Sequence, residues 1–157
     1  MGEVALRVIE DADLDAVFEQ MRDPESVRMA AFTSANPNDR PAFDRRMASQ
    51  RVSPEITMRA VTHHGRLVGT IACFVIEGET EVTYWIDRAV WGRGIATTAL
   101  ALFLELVPHR PLYARAATDN GGSLKVLHRA GFTTTGTERS HAPARGSVIE
   151  ETLLRLD

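Results

Sequence analysis

The junction between a strand, two glycines and a helix constrains this chain more than any other feature. Residues 80–86 favour a strand, Gly92 and Gly94 follow a short loop, and an amphipathic helix begins at Ile95. Glycine lets the backbone turn tightly and approach a ligand closely. The first N–H groups of a helix have no partner inside it and lie at its positive end. The junction therefore predicts a binding site for phosphate or pyrophosphate, or else a tight turn with a glycine for packing.

Hydrophobic periodicity predicts alternating strands and helices along the rest of the chain. Helices are expected after the capping residues Asp11 and Asp39, from the glycine loop to about Leu106, and over Asn120–Ala130. The stretch Met29–Asn38 is poor in pattern. This order indicates an α/β fold, a mixed sheet with helices on both faces. The expected strands are Val4–Glu10, Ile56–Thr62, Arg66–Ile76, Thr80–Ile86, Leu112–Ala117, Phe132–Glu138 and Val148–Leu156.

Composition narrows the class of protein. The chain has 157 residues, of which 44% are hydrophobic and 25% charged, so we expect one soluble domain spanning residues 1–157. The net charge of −3 argues against a general nucleic-acid binder. No apolar run is long enough to span a membrane, and the N-terminus lacks the sections of a signal peptide. The single cysteine, Cys73, excludes an internal disulfide. We expect a cytoplasmic protein, a monomer or homodimer, with no nucleic-acid or membrane partner.

A second motif lies downstream of the first. Asn120, Ser123 and a helix that ends in Gly131-Phe132 follow the strand Leu112–Ala117. In this order, the two motifs resemble the GNAT family of N-acetyltransferases, which move an acetyl group from acetyl-CoA to an amine. The resemblance covers nearly all of the chain.

The first motif also carries a departure from the family pattern. Gly94 and Ala96 match the small positions of the family's pyrophosphate motif, whereas Trp91 stands where Gln or Arg is usual. This departure resembles the branch of ribosomal-protein N-terminal acetyltransferases, in which Trp-Gly-x-Gly is common. The resemblance implies a mostly antiparallel sheet that is splayed where acetyl-CoA binds, so that the pantetheine arm lies there like an added strand.

The resemblance implies which residues contact acetyl-CoA. The loop would bind the pyrophosphate mainly through backbone N–H groups, and Arg93 would either add a charge-assisted contact or be a solvated surface cation. Trp91 would cover the CoA or pack under the loop. Asp87 would lie beside the arm or serve as an ordinary turn residue. The full expected set is Trp85, Ile86, Asp87, Trp91, Gly92, Arg93, Gly94, Ile95, Ala96, Thr97, Asn120 and Ser123.

Three residues are candidates for catalysis. The resemblance implies that Ser123 gives a proton to the departing thiolate, although a residue in a first helical turn also satisfies a free N–H. Asn120 would hydrogen-bond the pantetheine or the substrate, act as the helix cap, or do both. Glu81 lies close to where many of these enzymes carry a Glu that acts as the general base. The alternatives are that Glu81 is solvated at an exposed strand end, or that water relays the proton without a dedicated base.

Other functions and cofactors are less well supported. The five histidines show no metal-ligand spacing, so we expect no metal. A CoA-binding sensor that has lost catalysis would carry the same motifs. A dinucleotide-binding oxidoreductase is disfavoured, because Thr97 occupies the third glycine position of that fingerprint. The amine would be a protein N-terminus or a small molecule, and Met29–Phe32 with the loop through Asn38 would form the acceptor-side wall.

Overall fold

The computed structural model describes residues 3–34 and 36–157. Residue 35, in the loop predicted to form the acceptor wall, and residues 1–2, used in the signal-peptide prediction, lie outside the described residues. The strands are β1 Val4–Arg7, β2 Thr57–His63, β3 Arg66–Ile76, β4 Glu79–Ile86, β5 Leu112–Ala117, β6 Thr133–Ala142 and β7 Ser147–Leu156. The helices in this part of the chain are α1 Leu14–Met21, α2 Pro24–Ala30, α3 Arg40–Val52, α4 Ile95–Leu106 and α5 Gly121–Arg129.

The seven strands form one mixed sheet in the order β1-β2-β3-β4-β5-β7-β6. Every neighbouring pair is antiparallel except β4 and β5, which run parallel. The connection between these two parallel strands contains α4, as a parallel crossover requires. The predicted α/β class and mostly antiparallel mixed sheet are therefore confirmed.

The parallel strands separate soon after they meet. Their register contains the single pair Glu81 and Tyr113, although β4 continues to Ile86 and β5 to Ala117. Beyond that pair, the facing edges of the two strands lack the ladder that joins all other neighbours in the sheet. The predicted splay is present, and it leaves backbone hydrogen-bonding groups of β4 available in the middle of the sheet.

Helices cover both faces of the sheet, as predicted. Neighbouring residues of β2 belong to different cores, because successive side chains of a strand point to opposite faces. Val61 packs with Leu100 and Phe103 of α4, whereas Ala60 packs with Phe18 of α1 and Phe43 of α3. Each face of the sheet therefore has its own hydrophobic core, and the separation of β4 and β5 lies in the sheet that divides the two cores.

Two predictions near the N-terminus are wrong. The first strand ends at Arg7 rather than at Glu10, because Asp13 accepts hydrogen bonds from the Arg7 guanidinium and from the Glu10 N–H, which turns the chain. Asp11 does not cap an α-helix but begins a 3₁₀ turn, Asp11–Asp13, ahead of α1.

Asp23 and Pro24 begin the helix α2. Asp23 caps this helix by accepting a hydrogen bond from the Ser26 N–H at 3.0 Å. Proline at the first helical position has no N–H to leave unpaired. The unpredicted helix α2 thus occupies Pro24–Ala30, which overlaps the start of the expected acceptor wall.

Candidate active site

A cavity of about 540 Å³ opens where β4 and β5 separate. It is lined by the end of β4, the glycine loop, the first turn of α4, residues along the length of α5, and part of α2. Because α2 lies on one face of the sheet and α4 and α5 on the other, residues from both faces line the cavity. The lining residues are Ser26, Met29, Ala30, Tyr84, Trp85, Ile86, Val90, Trp91, Gly92, Gly94, Ile95, Ala96, Thr97, Asn120, Gly121, Gly122, Ser123, Lys125, Val126 and Arg129.

The glycine loop presents unpaired backbone N–H groups to this cavity. Gly92 has a φ of 80° and Gly94 a φ of 76°, a left-handed conformation that side chains disfavour. Gly94 caps α4, and its carbonyl accepts the first helical bond from the Thr98 N–H at 3.1 Å. Within residues 3–34 and 36–157, nothing accepts a hydrogen bond from the N–H groups of residues 92–97. These six donors lie at the positive end of a twelve-residue helix, an arrangement that suits a pyrophosphate.

Trp91 ties the loop to the strand that precedes it. Its indole Nε1 donates a hydrogen bond to the carbonyl oxygen of Ile86 at 2.8 Å. The ring also borders the cavity and is 41% exposed. Trp91 therefore holds the loop against the end of β4 while leaving part of its surface open.

Asp87 and Arg93 are not among the cavity-lining residues. Asp87 caps the 3₁₀ turn Arg88–Val90 by accepting a hydrogen bond from the Ala89 N–H at 3.0 Å. This is the turn role that the sequence left open for Asp87. Arg93 lies on the exposed outer side of the loop.

Ser123 and Asn120 also line the cavity. Asn120 caps α5 by accepting a hydrogen bond from the Ser123 N–H at 3.2 Å. The Ser123 hydroxyl lies 2.8 Å from the Tyr84 hydroxyl of β4, and the Tyr84 hydroxyl also donates to the Ser123 carbonyl at 3.2 Å. Burial raises the pKa of Tyr84 to about 12, although the contact with Ser123 favours the phenolate. Tyr84 is therefore a neutral phenol at any physiological pH.

Glu81 lies on β4 but does not line the cavity. It is 6% exposed, and its Oε2 accepts a hydrogen bond from the Arg115 Nε at 3.2 Å. Arg115 also lies 3.5 Å from Glu151 and 3.7 Å from Glu138. Burial raises the pKa of Glu151. This ion-pair cluster explains how an acidic residue is tolerated on a covered sheet face.

A family model confirms what the cavity and loop indicate. The model for the acetyltransferase (GNAT) domain matches residues 3–133, which is most of the chain. The chain belongs to the GNAT acetyltransferase family. Among curated proteins, the GNAT chain is 37% identical over 90 residues to the Bacillus subtilis (strain 168) protein named "Probable N-acetyltransferase YjcK". The match covers 52% of this chain and 49% of the relative, so it spans about half the length of that protein.

Solved structures share the whole fold at low sequence identity. Spermidine N-acetyltransferase from Vibrio cholerae, in complex with CoA and spermine, has a TM-score of 0.85 at 15% identity, over 99% of this chain and 96% of that one. RimL, a ribosomal L7/L12 α-N-protein acetyltransferase in complex with coenzyme A, has a TM-score of 0.83 at 15% identity, over 99% and 94% of the chains. These proteins act on different amines, so the shared GNAT fold leaves the acceptor open.

Several residues of the GNAT cavity were not predicted from sequence as site residues. Nothing local in the sequence indicated the contact of Tyr84 with Ser123. Ser26 belongs to a helix that the hydrophobic pattern did not reveal. Lys125 and Arg129 of α5 also border the cavity.

The described part of the GNAT chain holds no group of three or more His, Cys, Asp or Glu residues that could bind a metal. Across residues 3–34 and 36–157, no helix is long and apolar enough to cross a membrane.

Proposed function

We propose that this chain transfers an acetyl group from acetyl-CoA directly to a primary amine, and that residues 1–157 form a single acetyltransferase domain. One observation carries the proposal most strongly. The glycine loop has six unpaired N–H groups, and five of its six residues, all except Arg93, border a cavity that Ser123 and Asn120 also line. This cavity opens where β4 has lost its partner strand. The loop N–H groups would bind a pyrophosphate, and the unpaired edge of β4 would pair with the extended pantetheine arm. The Ser123 hydroxyl would lie near the thiol end of that arm.

The cofactor side of the site is built from backbone. We infer that residues 92–97 bind the pyrophosphate of acetyl-CoA, and that the free edge of β4 near Trp85 and Ile86 pairs with the pantetheine amides. Backbone N–H near Ile86 would stabilise the negative charge that develops on the thioester oxygen. Asn120 keeps its capping bond and still has an amide N–H₂ group to offer the arm. Lys125 and Arg129 would add charge near the phosphates.

Ser123 is the proposed proton donor to the departing thiolate. A thiolate is a better leaving group when a hydroxyl donates a hydrogen bond to it as the carbon–sulfur bond breaks. The Tyr84 hydroxyl has one proton, so the Ser123 proton is free to point into the cavity when Tyr84 donates to the Ser123 Oγ rather than to the Ser123 carbonyl. We therefore infer that Tyr84 orients Ser123 through the 2.8 Å contact between their hydroxyls.

The proton of the attacking amine has two routes. Glu81 is the proposed base, but its carboxylate is paired with Arg115 and does not border the cavity. No carboxylate or imidazole is among the residues that line the described cavity. We therefore propose that water carries the proton away from the amine and that Glu81, on the acceptor-facing side of β4, receives it.

We propose that the acceptor arrives as a protonated, positively charged amine and loses its proton in the site. Three carboxylates, Glu81, Glu138 and Glu151, surround one guanidinium on the sheet face that α2 also covers, so the acceptor side carries excess negative charge. A protein N-terminus is favoured by the Trp-Gly-x-Gly resemblance to the ribosomal-protein branch. A small polyamine is the other candidate, because the spermidine enzyme from Vibrio cholerae shares the fold. We place the reaction in the cytoplasm.

The test uses acetyl-CoA and two probe amines, spermidine and an alanine tetrapeptide with a free N-terminus. Acetyl-CoA should raise the melting temperature, and thiol release should depend on the amine. Desulfo-CoA is a control that should stabilise the protein without any thiol release. Failure of every acyl-CoA to bind would refute the proposal.

A CoA-binding sensor without catalysis is the second candidate, and the missing carboxylate in the cavity lining favours it. Under that hypothesis, acetyl-CoA binds but no amine is acetylated. Ser123→Ala and Glu81→Gln would then leave the rate of thiol release at the uncatalysed level of the wild type, whereas in an enzyme each would lower it.

A further inference from the structure

The helix α2 forms one wall of the cavity and is too short to be stable alone. It has seven residues, and Ser26, Met29 and Ala30 face the cavity. Isolated helices of this length are not stable in water, because nucleation costs more than so few hydrogen bonds return. The position of this wall must therefore be set by contacts to other segments.

At its N-terminal end, α2 is held by Arg88. The capping residue Asp23 receives hydrogen bonds from the Arg88 Nε at 2.7 Å and from Nη2 at 3.0 Å. Arg88 belongs to the 3₁₀ turn that joins β4 to the glycine loop. A planar guanidinium that contacts both carboxylate oxygens fixes direction as well as distance. This end of α2 is thus attached to the cofactor loop.

At its C-terminal end, α2 is held by Arg145 from the turn between β6 and β7. The Arg145 Nε donates to the Arg28 carbonyl at 2.6 Å, while Nη1 and Nη2 contact the two Asp119 oxygens at 2.7 and 2.9 Å. The Arg145 side chain is only 14% exposed. Asp119 directly precedes Asn120, the cap of α5. This end of α2 is thus attached to the turn that carries Ser123.

The backbone just after α2 is strained, which also indicates that the surrounding structure holds it. Ala31 has a φ of 66° and a ψ of −47°, and the Phe32 N–H donates to the Ala30 carbonyl at 2.7 Å. These values describe a γ-turn of the rare, strained form. The Ala31 carbonyl accepts a hydrogen bond from the Ala144 N–H at 3.1 Å, and its side chain is fully buried. Such a conformation persists only where neighbours over-determine it.

We propose that Arg88 and Arg145 are positioning residues that hold α2 at both ends and thereby set the acceptor wall relative to the cofactor loop and the Ser123 turn. Arg145 is the stronger of the two, because it is more buried and links α2 directly to the residue before Asn120. The proposal rests on the proposed function for its kinetic consequence, but its structural consequence stands alone.

Hydrogen exchange tests the structural consequence without any activity. In Arg145→Gln, amide exchange over residues 24–32 should rise by about tenfold or more, since hydrogen bonds to charged groups are the strong ones. Arg88→Gln should give a smaller rise, because Arg88 is half exposed. Exchange in α4 should not change. Arg45→Gln, which removes an exposed arginine of α3, is the matched control and should leave α2 unchanged. Unchanged exchange in α2 of Arg145→Gln would overturn the proposal.

Steady-state kinetics test the functional consequence with spermidine and the alanine tetrapeptide as probes. In Arg145→Gln the KM for the amine should rise by about tenfold while the KM for acetyl-CoA does not change. A rise in the acetyl-CoA KM alone would contradict the assignment. Asp119→Asn weakens the other contact of the Arg145 guanidinium, its ion pair with the residue before Asn120, from an exposed position, and it should give a smaller rise in the same KM if Arg145→Gln folds poorly. If the wild type acetylates neither amine, the proposed function fails, while the exchange measurement still decides the proposal on α2.

Discussion

The hydroxyl oxygens of Tyr84 and Ser123 lie 2.8 Å apart across the gap between β4 and α5. Tyr84 also reaches the Ser123 carbonyl, so one phenol contacts both polar oxygens of the same serine. Because burial raises the pKa of Tyr84 to about 12, the phenol keeps its proton and can donate it in either contact. The orientation of the Ser123 hydroxyl is thus coupled to a residue on a different strand.

Tyr84→Phe removes one oxygen and keeps the ring. We expect kcat to fall by about tenfold, since Ser123 loses its orienting partner, and Ser123→Ala to cost about 10²-fold, typical of a lost proton donor. The double variant should be no slower than Ser123→Ala, because the two residues act as a unit. Tyr113→Phe, on β5 and outside the cavity, is the matched control and should behave as wild type. A pH dependence of the Tyr84→Phe defect near neutrality would contradict the role of a neutral phenol.

Gly69→Ala should displace the end of β4. A Cβ on Gly69 would lie 2.2 Å from the Trp85 carbonyl oxygen, which is backbone and cannot rotate away. We expect a loss of about 1–3 kcal/mol in the free energy of unfolding, the usual cost of overpacking, together with weaker binding of CoA. Gly136→Ala is the control, because a Cβ there meets nothing within 4 Å. Urea denaturation measures the change in stability and CoA titration the change in binding. Equal stability and equal CoA affinity of Gly69→Ala and Gly136→Ala would refute the close approach of Gly69 to the Trp85 carbonyl.

Gly94→Ala should act through the backbone alone. A Cβ at Gly94 meets nothing within 4 Å, but the φ of 76° is left-handed. We expect a loss of about 1–2 kcal/mol in stability from this conformation and a larger loss in affinity for CoA, because the loop amides move. Gly121→Ala, also without a clash and without positive φ, should be nearly neutral in stability. Calorimetric titration of CoA into the three proteins distinguishes these outcomes.

Trp91→Phe should make the glycine loop less firmly held while keeping an aromatic side chain at its start. The variant keeps an aromatic ring but loses the Nε1 hydrogen bond to the Ile86 carbonyl. We expect the Kd for CoA to rise by about five- to tenfold, in line with the net value of one hydrogen bond. Trp85→Phe instead removes a bond to the Gln20 carbonyl of α1 and serves for comparison. An unchanged Kd in Trp91→Phe would show that the indole N–H does not position the loop.

The free energy of unfolding should fall at acidic pH as Asp23 becomes protonated. The Arg88 guanidinium, with help from Ser26, lowers the pKa of Asp23 to about 2. The folded pKa lies below the unfolded value of about 4, so the stabilisation is complete above about pH 4 and is lost as the pH falls toward about 2. Asp23→Asn keeps a good helix cap but removes the charge. The difference in unfolding free energy between wild type and Asp23→Asn should therefore be constant near neutrality and shrink between about pH 4 and pH 2.

Local signals in the sequence predicted most of the secondary structure. β5 has the predicted bounds, Asn120 and Asp39 cap α5 and α3, and Gly131 ends α5 with a φ of 105°. Each of these signals acts within a few residues, which is why a pattern reveals it. By contrast, α2 has little hydrophobic pattern, and its ends contact Arg88 and Arg145, which lie far from it along the chain.

The candidate site divides in the same way. The glycine loop, Asn120 and Ser123 were identified from sequence because the chemistry of a phosphate-binding loop and of a helix cap is local. Their placement around one cavity is a finding of the structure, while their roles in binding and catalysis are proposals. Tyr84 has no local signal, since its partner lies 39 residues away.

The sequence by itself determined the α/β class, the glycine junction and the family, because propensity, capping and backbone freedom depend on residues adjacent along the chain. Only the tertiary structure decided which side chains meet across the sheet. Arg115 meets Glu81 over 34 residues and Arg88 meets Asp23 over 65. Such contacts depend on strand order and on where β4 and β5 part, and no pattern within a single element contains that information.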